Sequence, residues 1–220
     1  MMEKRKLMLG EYDTAIELWT LAQLSFSPPE YKSYFVDVPL SDIAIDLSTA
    51  LTDGEPRYNP RTLSATLESS EGDRLAREAR IDEMVNLLDG RRMNIVLPDD
   101  PSRYITGRVR VARQYNDMAH CAVAVTALCE PWRYAADGYS VDLSGSGISR
   151  SITLTNTGRR SVVPLITVSS GELQLSYGGS SRVMAVGRYR LPDLYLTTGE
   201  HTITVGGVCT ATLDYREAVL

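Results

Sequence analysis

The sequence predicts a mainly β protein of two domains with a single helix, on three observations. The stretch "DRLAREARIDEMVNLLDG", starting at Asp73, repeats apolar residues every three or four positions, the helical period. The segments that follow it alternate apolar and polar residues, the period of a strand. Beyond "CEPWRYAADGYSVDLSGSGISR" glycine, serine and threonine become frequent, charge falls, and short strands come at close spacing. The boundary is expected near residue 136. Residues 1–135 form a mostly β domain with its helix at about 73–89, and residues 136–220 form a small β-sandwich or jelly roll.

The helix carries Leu75, Ala79, Ile81, Met84, Val85 and Leu88 on one expected stripe. Ser69, Ser70 and Asp73 offer capping side chains at its start, and Gly90 can turn left-handed just past its end. Strands follow. "RRMNIVL" puts Met93, Ile95 and Leu97 on one side, and "GRVRVAR" sets Val109 and Val111 against Arg108, Arg110 and Arg113. "HCAVAVTALC" is apolar on both faces, as a strand buried on both sides must be. With turn chemistry at Tyr115–Asn116–Asp117, residues 92–129 read as a three-stranded meander. In the N-terminal third, "EYKSYFVDVPL" and "TLSATLES" read as strands, with "PPEY" and "DGEPRYNPR" as loops.

The second domain predicts strands at "SITLTN", "SVVPLITV", "HTITVGG" and "TATLDYR". Their inward residues are Ile152 and Leu154, Ile203 and Val205, and Leu213 and Tyr215; a turn is expected at Asn156–Thr157–Gly158. Pro164 suggests an edge or a bulge, because proline cannot donate to a ladder.

Charge and composition exclude several function classes. The net charge of −5 arises wholly within residues 1–135, and no basic groove with interleaved aromatics marks a nucleic-acid site. No apolar run approaches the ~20 residues of a membrane span. The start, "MMEKRKLMLGEYD", makes a poor secretory signal, since Gly10 and Glu11 interrupt its apolar stretch. Cys121 and Cys129, on one extended strand, are roughly 26 Å apart, too far to bridge. With Cys209 they make an odd set of thiols, expected as buried apolar side chains in a reducing compartment.

Asp99 and Asp100, between Pro98 and Pro101, could serve a metal, an acid/base pair or a turn. The prolines stop strands on both sides, and no second acidic or histidine cluster accompanies the pair, so the turn is the expectation. His120 and His201 neighbour no cysteine, acid or serine in a catalytic spacing. "LSGSGISR" fails both the nucleophile-elbow and the P-loop patterns around Ser146, and residues 144–149 are expected to link the domains. Trp19, Trp132, Tyr134, Tyr177, Tyr189 and Tyr195 could line a sugar-binding face, or serve cores and interfaces. No catalytic, cofactor-binding or metal residue is assigned, no cofactor is expected, and the chain is not read as an enzyme.

Taken together, several segments resemble the distal tail protein family of siphophages and prophages. They are Trp19, "PPEYKSYFVDVPLSDIAIDLS", "RYNPRTLSATLES", "IDEMVNLLDGRRMNIVLPDDPSRYITGRV", "ALCEPWRY", "NTGRRSVVPLITVSSG", "LPDLYLTTGEHTITV" and "TLDYREAVL". The resemblance implies an N-terminal β-sandwich-like domain with one packed helix that closes into a hexameric ring. It further implies a C-terminal galectin-like β-sandwich projecting outward. The implied role is a structural one in the virion, at the phage tail tip, after synthesis in the bacterial host cytoplasm. Such a ring joins the tail tube protein to a tail-associated baseplate or fibre protein, with no nucleic acid or membrane partner. One departure stands out: relatives often carry V-P-G-x-x-G where this chain has "VPLSDIA", Val38 to Ala44. The chain also lacks an insertion that would house an extra carbohydrate-binding module. A stand-alone carbohydrate-binding β-sandwich protein is the alternative, and a hydrolase the more distant one.

Overall fold

A computed structural model describes residues 6–220 apart from Ser41 and Asp53. The basic opening residues Met1–Arg5, and Ser41 of the Val38–Ala44 loop, lie outside them. The fold is mainly β with one helix, and the chain divides into two compact units, one running to Arg133 and the other from Tyr134 to Leu220.

The first unit contains β1 (Met8–Leu9), β2 (Tyr12–Asp13), β3 (Thr20–Phe26), β4 (Phe35–Val36), β5 (Ile45–Asp46) and β6 (Arg61–Ser69). Then come α1 (Arg74–Leu88), β7 (Arg92–Leu97), β8 (Asp100–Asn116) and β9 (Cys121–Cys129). Seven strands make one antiparallel sheet in the order β2-β1-β7-β8-β9-β6-β3. Alternation decides its faces: Leu63, Ala65 and Leu67 of β6, and Val109 and Val111 of β8, point into a core with α1 and Trp19. The meander over 92–129 is present, but β8 continues through Asn116, and the reversal falls on residues 117–120. There the Asp117 carboxylate accepts from the amides of Ala119 and His120 and fixes the turn.

The helix has Asp73 as its cap, whose carboxylate accepts from the Ala76 amide at 2.8 Å. Its buried stripe differs from the expected one. Arg77, Ile81, Met84 and Leu88 face inward, whereas Leu75 and Ala79 are exposed. Arg77 takes an apolar position because all three nitrogens of its guanidinium are hydrogen-bonded, Nε to the Asn116 side chain. It donates to the Gly72 carbonyl at 2.6 Å and to those of Asp117 and Met118 at 3.0 and 3.1 Å, tying the helix start to the β8–β9 reversal.

All three cysteines are buried and free. Burial pushes the Cys129 thiol up to about 11 and raises that of Cys121. Since the thiolate is the reactive species, the folded chain is expected to resist a thiol reagent at pH 8, and all three cysteines to react in denaturant. Rapid native labelling of Cys129 would contradict this burial.

A short strand, β10 (Arg133–Ala135), straddles the division. The second unit adds β11 (Tyr139–Asp142), β12 (Gly145–Ser146), β13 (Arg150–Asn156), β14 (Leu165–Gly171) and β15 (Leu173–Tyr177). It ends with β16 (Ser180–Met184), β17 (Gly187–Tyr189), β18 (Gly199–Gly206), β19 (Val208–Tyr215) and β20 (Ala218–Val219). One sheet runs β11-β19-β14-β17 with β12 also on β19; the other runs β13-β18-β15-β16. Ile166, Val168, Ala211 and Leu213 of the first meet Leu154, Leu175, Ile203 and Val205 of the second in a separate sandwich core.

Two expectations fail here. Residues 144–149 are not a linker: Gly145 and Ser146 pair with Cys209 and Val208 as β12. A β-carbon on Gly145 would lie 2.7 Å from the Gly207 carbonyl oxygen, so glycine serves close backbone approach there rather than flexibility. Pro164 sits at neither an edge nor a bulge. It immediately precedes β14, which is paired on both sides, so its missing amide costs no ladder bond. The Asn156–Thr157–Gly158 turn is clamped by the buried Glu217 carboxylate, which accepts from the Thr157 amide and hydroxyl, both at 2.6 Å.

Candidate assembly surface

The acid pair is split by the β7–β8 hairpin. Asp99 is in the turn with Pro98, while Asp100 opens β8 opposite Leu97. The expectation that both are turn residues is therefore right for Asp99 only. Pro101 does not stop the strand either: it falls where the β7–β8 register shifts, between Ile95 and Leu97, so the ladder does not need its amide. The Asp100 carboxylate accepts from Ser102 at 2.9 Å and sits 3.3 Å from both Arg103 and Arg133. Among the described residues no group of three or more His, Cys, Asp or Glu side chains is placed to hold a metal.

The histidines are both tied into local structure. The His120 amide completes the Asp117 turn. His201 lies within β18, with Nε2 2.9 Å from the Thr197 carbonyl and Nδ1 3.1 Å from the Tyr177 hydroxyl. The six aromatics do not share one sugar-binding face. Trp19 is fully buried, its indole nitrogen donating to the Tyr12 hydroxyl, and Trp132 meets Tyr58 edge-on. The depression beside Tyr177 encloses about 10 Å³, room for a water and not for a sugar ring.

The feature that stands out is a hairpin arm between β3 and β6. Ser27 fixes its base: its amide donates to the Thr62 carbonyl, and its own carbonyl accepts from Arg61 Nε at 2.7 Å. The Arg61 guanidinium also stacks over Phe26, 3.6 Å from the ring centre. The two limbs bond at Asn59–Glu30, Lys32–Arg57 and Leu47–Tyr34, and β4 pairs with β5 alone. The expected strand "EYKSYFVDVPL" shrinks to those two residues of β4. At the tip, Leu40 holds the left-handed φ of +65°, the region glycine favours.

This arm displays rather than buries its apolar residues. Tyr31, Tyr34, Phe35, Leu40, Ile43 and Leu51 are all exposed, Leu51 at 99%. Apolar exposure so concentrated marks an interaction surface on a chain that otherwise folds with two ordinary cores. The sequence offers no sign of this exposure beyond apolar residues set among prolines and acids, in a stretch that reads as an ordinary strand.

The sequence matches no known family profile, and it matches no curated protein. A solved structure does match: the crystal structure of the SPP1 Dit protein (gp 19.1), described as a paradigm of the hub adsorption apparatus in phages infecting Gram-positive bacteria. The TM-score is 0.69 at 16% identity, and the match covers 98% of this chain and 99% of that one. The chain therefore has the fold of that hub protein, in both units.

Proposed function

We propose that the chain is a structural protein of the phage virion, the distal hub of a siphophage tail, and not an enzyme. The fold match to SPP1 Dit over nearly the whole of both chains carries this reading. In it, residues 1–135 close a hexameric ring and residues 136–220 form a peripheral galectin-like module. The ring joins the tail tube protein to a tail-associated baseplate or fibre protein. The exposed arm supplies a physical reason for self-association. A heterologous contact, arm of one copy to body of the next, repeats until it closes, and each contact needs at least ~1,000 Å².

Light scattering on the full chain tests this. The expected mass is a sixfold multiple of 24.3 kDa, with rings in negative stain. A chain that stays monomeric at high concentration and binds glycans on an array would replace this reading with the carbohydrate-binding one.

A further inference from the structure

The arm of one copy needs a docking place on the next, and the uncovered face of the first unit's sheet offers one. Opposite the core, register places Thr62, Leu128 and Arg108 in one row across β6, β9 and β8, and Ser64, Thr126 and Arg110 in the next. Leu128 is 62% exposed in the middle of this face. Thr62, Thr126, Leu128, Arg108 and Arg110 line an open depression of about 510 Å³. Its one acid, Asp89, already accepts from the Val111 amide at 2.9 Å. The Arg108 guanidinium leans on the Gly90 carbonyl at 2.5 Å, and Arg110 has no ion-pair or hydrogen-bond partner among the described residues. The face is thus a cationic rim around an exposed leucine, floored by small hydroxyl side chains.

The arm has the complementary chemistry. From Glu30 to Arg57 it carries six acids and two bases, and between Asp37 and Asp46 three acids and no base. Asp37 and Asp42 make no ion pair among the described residues, and they flank the exposed Leu40 at the tip. We propose that the acidic arm tip of one copy docks on the Arg108–Leu128–Arg110 face of the next, Asp37 and Asp42 meeting the two arginines and the apolar tip covering Leu128. This rests on the ring reading and specifies which surfaces form its contact. Opposite charges across such a rim set register and speed encounter, while apolar burial supplies most of the affinity. Small floor residues suit the arrangement, because they let an extended segment lie close to the sheet.

The test uses the full chain and charge reversal. R108E/R110E and D37K/D42K, all at exposed positions, are expected to melt as the parent does and each to weaken association at least about tenfold. The quadruple variant, with both signs exchanged, is expected to recover most of the loss. D42C with R110C is expected to form a ladder of disulfide-linked multimers on oxidation. Full association of both double variants, with no ladder, overturns the docking face while leaving the ring reading in place. A parent chain that remains monomeric overturns the ring reading and the contact with it.

Discussion

Replacing Arg77 by alanine is expected to destabilise the first unit by roughly 3–5 kcal/mol, a large share of a domain's stability. Arg77 is 2% exposed, and its guanidinium is the donor for the Gly72, Asp117 and Met118 carbonyls. Removing it unties the start of α1 from the β8–β9 reversal and leaves these carbonyls without their charged donor. Lysine is expected to restore only part, since an ammonium cannot reproduce the planar fork that reaches all three. Both tryptophans, Trp19 and Trp132, belong to the first unit, so their fluorescence during urea unfolding reports that unit alone. A loss under about 1 kcal/mol would mean that the helix start and the reversal hold without the guanidinium.

Arg77 also shows where sequence reading stops. The helix was legible because Ile81, Met84 and Leu88 recur at helical spacing and Asp73 and Gly90 mark its ends. An arginine in the inward stripe was not legible. Two of its three carbonyl acceptors lie about forty residues away, on a turn whose position is fixed by the length of β8. Leu75 and Ala79 were misread for the converse reason: they are four residues apart, but they lie roughly 200° round the helix from Arg77 and Ile81 respectively, on the exposed face. Four strands of the second unit, β13, β14, β18 and β19, were legible from alternation, with Leu154, Ile166, Ile203 and Leu213 all buried as their pattern requires, whereas the shorter strands were not.

Glycine misled for a reason of geometry. The Gly145–Gly147 stretch has the composition of a linker, yet its spacing against Gly206 and Gly207 lets two backbones touch. Composition reports freedom in the unfolded chain, whereas contact is a property of pairs. The arm was hidden in the same way. The stretch "EYKSYFVDVPL" alternates enough to read as a strand, but only Phe35 and Val36 form one, and its apolar residues other than Val36 face solvent, which alternation alone does not reveal. Resemblance supplied the overall fold where local patterning could not.

The last expectation separates the two units. Gly171 ends β14 with φ at +73°, just after the register shift between Val168 and Ser170. A β-carbon there would stand 1.9 Å from the Val208 carbonyl oxygen, which also accepts from the Glu172 amide at 3.2 Å. Gly171→Ala must therefore move β14 away from β19, break that hydrogen bond and hold a left-handed alanine. Together these are expected to cost at least about 4 kcal/mol, in the range reserved for the most disruptive single changes. The two units have separate cores, so calorimetry should show one transition fall steeply while the tryptophan-reported transition stays put. If the first unit alone closes the ring, this variant still assembles with an unfolded or loosened second unit below the tryptophan transition. An assembly that disappears together with the second unit's transition would move the association interface out of residues 1–135.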